Sequence, residues 1–290
     1  MAERTTYQSS GHGSIPMAPL QYSQKAHQRL IREQHAKEPD PLIEEKMLLA
    51  RSLKNAWVRE IDRETAKTII LKYEWLRNVG TTDHYFGLYF GEHLAGAVCF
   101  GRTAGTKTAQ SVCGKKYAGL VTTLVRGACV HWAHSHAGSF LDAHACRLMV
   151  QKGYNIFVAY ADPAANEIGT IYQSLGWLYC GIGQGASAFI WRGKRIAKDP
   201  VWGTFKDGKL HDEANIYKSV RRGYRMACTR AEKRRRMERE GFVFVKLQPK
   251  HRYVGIYGDR ETVATLRAAL RWETFPYPKR TQIEDEGEAA

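Results

Sequence analysis

No run of apolar residues in this 290-residue chain reaches the roughly 18 to 20 needed to span a bilayer. The first stretch, MAERTTYQSSGHGSIP, lacks the charged-then-apolar architecture of a secretory signal. Among the six cysteines (Cys99, Cys113, Cys129, Cys146, Cys180 and Cys228) there is no CxxC pair, which argues against a thiol zinc site or a redox motif. Several of them sit in apolar runs, where a free thiol acts as a small hydrophobe. No internal repeat of about 20 to 50 residues is present, so solenoids and propellers are excluded. Acidic residues are few, 29 against 44 Lys and Arg, for a net charge of +15. The expectation is a soluble, unexported protein of a reducing cytoplasm, with no membrane partner.

What is present is a globular composition, 43% hydrophobic and 11% aromatic, which can repay the entropy of ordering a core. The positive charge is regional. From Arg192 to Arg280 there are 24 Lys and Arg against 10 Asp and Glu, nearly the whole excess. Such a field draws polyanions in a salt-dependent way, the alternative being a solvated, solubilising surface.

Four segments follow from the pattern. Residues 1–50 are polar and aperiodic, an irregular arm with a short helix in PLIEEKMLLARSLKNA. Residues 51–192 carry strand and helix signals in alternation. Asp62 caps an amphipathic helix in DRETAKTIILKYEWLRN. HYFGLYF and LAGAVCFG flank a Gly-containing loop and read as a hairpin. A Gly, Lys and Thr-rich loop follows, from Arg102 to about Lys116. LVTTLVRGACV reads as a central strand, AHSHAGSFLDAHACRLMVQKG as a turn and helix, NIFVAYADP as a buried strand and ANEIGTIYQSLG as a helix. WLYCGIG and SAFIW are further strands. The order predicts a mixed α/β sheet flanked by helices. Residues 193–280 form a basic extension, with helix in ANIYKSVRRGYRMACTRAEKRRRMERE, strands in FVFVKL and YVGIYG, and a last helix in DRETVATLRAALRWETF. Residues 281–290 are an acidic tail.

Chemistry concentrates in three places. The turn around His134, Ser135, His136, Gly138 and Ser139 leads a strand into a helix, an arrangement whose free N–H groups suit phosphate, with Arg126 on the strand before it. Its four histidines, His131 to His144, lack HExxH or Cys/His spacing and assign no metal. The stretch ADPAANEIGTIYQSLGWLYCG brings Asp162, Asn166, Glu167, Tyr172 and Gln173 together just after a strand. A carboxylate there can accept a proton from an incoming amine, and a tyrosine can supply one to a leaving group. The alternatives are a plain helix cap for Asp162 and a packed ring for Tyr172. Upstream, Tyr73, Glu74, Asp83 and His84 could wall the acceptor side. In the basic region Lys218, Arg221, Arg222 and Arg225 recur at helical spacing, and Lys250 and Arg252 flank Tyr253, a mixture of cations and rings suited to nucleic acid.

YEWLRNVGTTDHYFGLYFGEHLAGAVCFG and ADPAANEIGTIYQSLGWLYCGIG resemble the phage Mom family of DNA-modification proteins, within the GNAT acyltransferase superfamily. The resemblance implies a GNAT-like, mostly antiparallel sheet that opens between central strands to admit an acyl-coenzyme A or related donor. It implies double-stranded DNA as partner, carbamoylmethylation of the exocyclic amine of adenine, protection from host restriction and a host-cell cytoplasmic location. Residue by residue it assigns Arg126, His136, Gly138 and Ser139 to the cofactor, and Asp162, Tyr172 and His84 to chemistry. The turn WAHSHAGS departs from the general GNAT pattern, with one glycine and two histidines. Two other readings stay open: a conventional GNAT N-acetyltransferase acting on another amine, and a non-enzymatic DNA-binding protein on such a scaffold.

Overall fold

The computed structural model describes residues 25–280 except 104, 184, 186, 192–193, 197–234, 236–237 and 240. They fall into two units, one formed by the chain up to Gly183 together with Lys250 onward, the other by Gln184–Pro249.

The first unit is built on a seven-stranded sheet in the order β1-β2-β3-β4-β5-β10-β6. Its strands are β1 Ala56–Glu60, β2 His84–Phe90, β3 His93–Gly101, β4 Val121–Cys129, β5 Ile156–Ala161, β6 Leu178–Ile182 and β10 His251–Ile256. All neighbours are antiparallel except β4 and β5. This is the mixed, mostly antiparallel, helix-flanked sheet that the sequence predicts.

Local chemistry sets the boundaries. Asp62 accepts the Thr65 N–H at 2.8 Å and starts α3, Arg63–Tyr73. The β2–β3 hairpin turns at Gly91, whose φ of 56° suits a residue without Cβ. β4 crosses to β5 through α5, Ala137–Gln151, the helical crossover that a parallel pair requires. Asp259 accepts the Thr262 N–H at 2.7 Å and caps α7, Arg260–Ala268.

Along β5 the side chains alternate between two cores. Phe157, Ala159 and Ala161 join the main cluster with α3, α5 and Trp177. Ile156 and Val158 join a smaller one with α4, Thr106–Cys113, and Leu266 of α7. Both sides of this strand are therefore covered, which is why NIFVAYA reads as continuously apolar.

The structure departs from the sequence reading in four places. The arm contains, besides the expected short helix, α2 Ile43–Leu49, a further one, α1 His27–His35; neither has a buried residue, so apolar periodicity could not announce α1. Within the expected Gly, Lys and Thr-rich loop lies α4, which buries Ala109, Val112 and Cys113 at helical spacing. The helix expected over ANEIGTIYQSLG is a 3₁₀ turn, Pro163–Ala165, then α6, Thr170–Ser174. The break falls at Asn166 and Gly169, both left-handed, and a Cβ on Gly169 would lie 2.3 Å from the Tyr253 ring. Finally, the basic extension expected over 193–280 divides. β10 is an interior strand of the main sheet, while β7 Ser187–Trp191, β8 Lys194–Ile196 and β9 Phe242–Lys246 form the antiparallel sheet of the second unit. Its expected basic helix lies largely outside the described residues, as does the acidic tail.

Candidate active site at the opening of β4 and β5

β4 and β5 pair only over Val121–Leu124 and Ile156–Ala159, although β4 runs on to Cys129. Val130 N–H bonds to Ala95 O, so along β4 the residues in register with Ala97 and Cys99 also turn their backbone groups to β3. Gly127, between them, turns its N–H and C=O to the β5 side. Among the described residues that edge has no strand partner there. The Gly127 carbonyl instead accepts the Gln28 side-chain amide from α1 at 2.8 Å, and Arg32 reaches the His131 carbonyl at 3.4 Å.

α5 begins just beyond the opening. Ala137 and Phe140 N–H groups bond back to His134 and His136, while those of Gly138 and Ser139 meet no acceptor among the described residues. His136 N–H donates to His134 Nδ1 at 3.1 Å, and Ser139 Oγ donates to His136 O at 3.1 Å. A Cβ at Gly138 would lie 2.8 Å from Ile171 of α6, so this glycine lets the two helices close together. Arg126 is engaged within the protein. It donates to Asn78 O at 3.0 Å, Asn78 Oδ1 at 3.1 Å and Val125 O at 2.6 Å, and its Nε is 3.8 Å from Glu74.

Beside this opening the carboxyls of Glu74 and Asp162 lie within electrostatic reach of a third, that of Glu167. Glu74, only 5% exposed, accepts Leu76 N–H at 2.8 Å; burial raises its pKa, with Arg126 pulling the other way. Asp162, at the end of β5, accepts Ala164 N–H on Oδ1 at 3.0 Å and pairs with Lys250 on Oδ2 at 2.7 Å. Glu167 is half-buried, its peptide N–H bonded to Asp162 O at 3.1 Å. Burial pushes its carboxyl up to about 7; Glu74 and Asp162 add to this, and Lys250 and Arg280 oppose it.

Tyr172 stacks on Trp177 with 5.2 Å between centroids and tilts toward Tyr253 at 5.3 Å. Burial, then the carboxyls of Asp142 and Glu167, hold its hydroxyl well above the ordinary tyrosine range, so it keeps its proton at neutral pH. Asp142 of α5 is 3% exposed, and burial raises its pKa to about 8. A Cβ on Gly127 would lie 3.9 Å from Asp142 Oδ1, which places that carboxyl behind the open part of β4. Gln173 ties the loop together, donating to Ile168 O at 3.1 Å, Tyr253 Oη at 3.1 Å and Pro278 O at 3.2 Å.

The structure thus brings Asp162 and Tyr172 into the surroundings of one residue, Glu167, and places Arg126 beside Glu74. His84 lies elsewhere. It sits on β2, separated from β5 by β3 and β4, with Asp83 at 3.9 Å and Tyr154 at 5.7 Å between rings. Of the residues expected on nucleic acid, Lys250 is bound to Asp162. Arg252 donates to Cys180 O at 2.8 Å and lies 4.6 Å over Trp272. Lys218, Arg221, Arg222 and Arg225 lie outside the described residues. Asp142 and Gln28 had no sequence signal, being single polar residues in a helix and in an aperiodic arm. Among the described residues no cluster of three His, Cys, Asp or Glu is placed to hold a metal ion, and no helix is long and apolar enough to cross a membrane.

Against known proteins, the family model described as the Mom protein family matches residues 55–279. No curated protein matches. Among solved structures, a Bacillus subtilis acetyltransferase in complex with CoA is 9% identical with a TM-score of 0.36, covering 70% of this chain and 99% of that one. An N-acetylglutamate synthase from Neisseria gonorrhoeae, complexed with coenzyme A and N-acetyl-glutamate, is 14% identical with a TM-score of 0.28, covering 76% of this chain and 34% of that one. A putative acetyltransferase of the GNAT family from Desulfovibrio desulfuricans is 14% identical with a TM-score of 0.32, covering 44% and 89%.

Proposed function

The chain belongs to the Mom protein family, and on that footing we propose that it is a transferase that places a carbamoylmethyl group on the exocyclic amine of adenine in DNA. The modification would hide the DNA from host restriction enzymes. The observation that carries the reading is the family match over 225 of 290 residues, from 55 to 279. The geometry supports it by supplying what such a transfer demands.

The opening between β4 and β5 suits an extended donor of the coenzyme A type. The free N–H groups of Gly138 and Ser139 at the start of α5 would hold its phosphates, as helix N-termini hold anions. The Gly127 backbone, turned to the opening, would pair with amides of the donor once Gln28 has withdrawn. Arg126 then shapes the site through Asn78 and Glu74 rather than by reaching the donor.

Adenine presents a poor nucleophile, because the lone pair on its exocyclic nitrogen is delocalised into the ring. The site must align that nitrogen and take its proton. The carboxyls at and after the end of β5, Asp162 and Glu167, would serve the second task, and Tyr172, protonated at neutral pH, would return a proton to the leaving group. The base must leave the duplex stack to reach them, at a cost of a few kcal/mol. The regional excess of Lys and Arg from 192 onward would hold the DNA during that excursion.

Nucleoside mass spectrometry of plasmid DNA from cells expressing the protein, beside Tyr172→Phe, tests the reading. A deoxyadenosine product with the carbamoylmethyl increment, lost in the variant, is the expected result. An acetyl increment instead would identify a conventional GNAT N-acetyltransferase. Unmodified DNA bound by folded protein would identify a DNA-binding protein.

A further inference from the structure

We propose that Glu167 is the residue that takes the proton from the acceptor amine, and that Asp162 holds the loop on which Glu167 stands. The assignment rests on the transfer reading above and names the base within it.

The argument begins with lone pairs. A general base needs a carboxylate oxygen free to accept, within reach of the shed proton. Both oxygens of Asp162 are occupied, one by the Ala164 N–H and the other by the Lys250 ammonium at 2.7 Å. To take a further proton Asp162 would have to give up one of these partners, and with it the cap or the ion pair. Glu74 is engaged on one oxygen, Oε2, by the Leu76 N–H at 2.8 Å and the Arg126 guanidinium at 3.8 Å. Among the described residues Glu167 receives no side-chain hydrogen bond and no direct ion pair. It is the one carboxyl of the three with both oxygens uncommitted.

Position agrees. The Glu167 N–H is fastened to Asp162 O, so the cap that Asp162 forms over Pro163–Ala165 also orients the residue five positions later. The left-handed turns at Asn166 and Gly169 fix the loop on either side, and Arg280 donates to Asn166 O at 2.9 Å. The charged and titratable groups around Glu167 come from every neighbouring element: Glu74 after α3, Asp162 after β5, Lys250 before β10, Arg280 of the C-terminal segment and Tyr172 of α6. Their balance leaves the carboxyl poised near neutrality, where a base is most effective.

The step balances as follows. The adenine nitrogen forms a bond to the donor's methylene carbon, and the bond from that carbon to a thiolate-type leaving group breaks, its electron pair departing with the sulfur. The amine proton goes to Glu167, and the sulfur takes a proton from Tyr172. Proton return from Glu167 to the tyrosinate restores both groups.

Two measurements decide the assignment. In expressing cells, Glu167→Gln should lower the modified deoxyadenosine fraction about 100-fold or more, as loss of a general base does, with an unfolding temperature no lower than that of the wild type. A carboxyl-¹³C glutamate titration, assigned by the signal absent in Glu167→Gln, should show a midpoint near 7. Modified DNA at the wild-type level from Glu167→Gln, or a midpoint in the ordinary carboxylate range, overturns the assignment. Unmodified DNA from the wild-type protein sinks the transfer reading itself, a different result from either of these.

Discussion

Replacing Asp142 by Asn should make the protein more stable, and by an amount that grows with pH. Asp142 is 3% exposed, and burial lifts its carboxyl from 3.8 to about 8, with no cation among the described residues offsetting the cost. A carboxyl raised in the folded state binds a proton there that the unfolded chain has already released. Between about pH 5 and pH 7 the folded protein therefore holds one more proton than the unfolded one at this site. Stability falls by about 1.4 kcal/mol per pH unit on that account. Over two units the difference is about 2.7 kcal/mol, and for a folded unit of this size that is roughly 5 to 10 °C in melting temperature. Asparagine is isosteric and cannot ionise, so Asp142→Asn escapes the loss. Other raised or lowered groups, Glu167 and His251 among them, titrate in both proteins and cancel in the comparison. The assay is denaturant or thermal unfolding of both proteins at pH 5, 6 and 7. The gap between the curves should open with pH, and a gap that stays constant would refute the claim that Asp142 is folded in as a neutral acid.

Three further outcomes follow from the same geometry. Gln28→Ala frees the Gly127 carbonyl at the opening, and coenzyme A titrated calorimetrically should bind about two- to tenfold more tightly, the worth of one hydrogen bond no longer in competition; unchanged or weaker binding would show that α1 does not obstruct the opening. Lys250→Met removes the ammonium that lowers the Glu167 pKa, so the Glu167 midpoint in the ¹³C titration should rise above about 7; a midpoint that falls contradicts the proposed balance of charges. Gly255→Ala would drive a Cβ to 2.4 Å from the buried Trp177 indole, and overpacking of that kind costs about 1 to 3 kcal/mol, readable as a lower urea midpoint with tryptophan fluorescence as the probe.

Most of the core was legible because its signals are local. Asp62 caps α3 in the way its position announces, and the hairpin around Gly91 follows from two aromatic runs and one glycine. The apolar run of β5 is covered on both sides and reads accordingly. The failures have a common cause. α1 docks through polar contacts such as Gln28 and Arg32 on backbone carbonyls, and leaves no apolar period to detect. β10 is written among basic residues, and only pairing with β5 and β6 makes it an interior strand. ANEIGTIYQSLG has helical composition, yet Tyr253 fills the space above Gly169 and a left-handed residue stands at each end of the loop.

The candidate site divides in the same way. Sequence by itself determined the candidates for chemistry: a carboxylate and a tyrosine after a buried strand, and a glycine-containing turn at the start of a helix. It also determined the family, through motifs that lie close together along the chain. Only the tertiary structure decided their states. Lys250, 88 residues after Asp162, occupies that carboxylate. Glu74 and Arg126 enter from a turn and a strand far apart in sequence, and Asp142 is buried behind β4 with no cation beside it among the described residues. A carboxylate's basicity depends on what donates to it and how much water reaches it, and those are properties of distant segments brought together. That is why the sequence could name Asp162 and Tyr172, and why the folded protein points to Glu167.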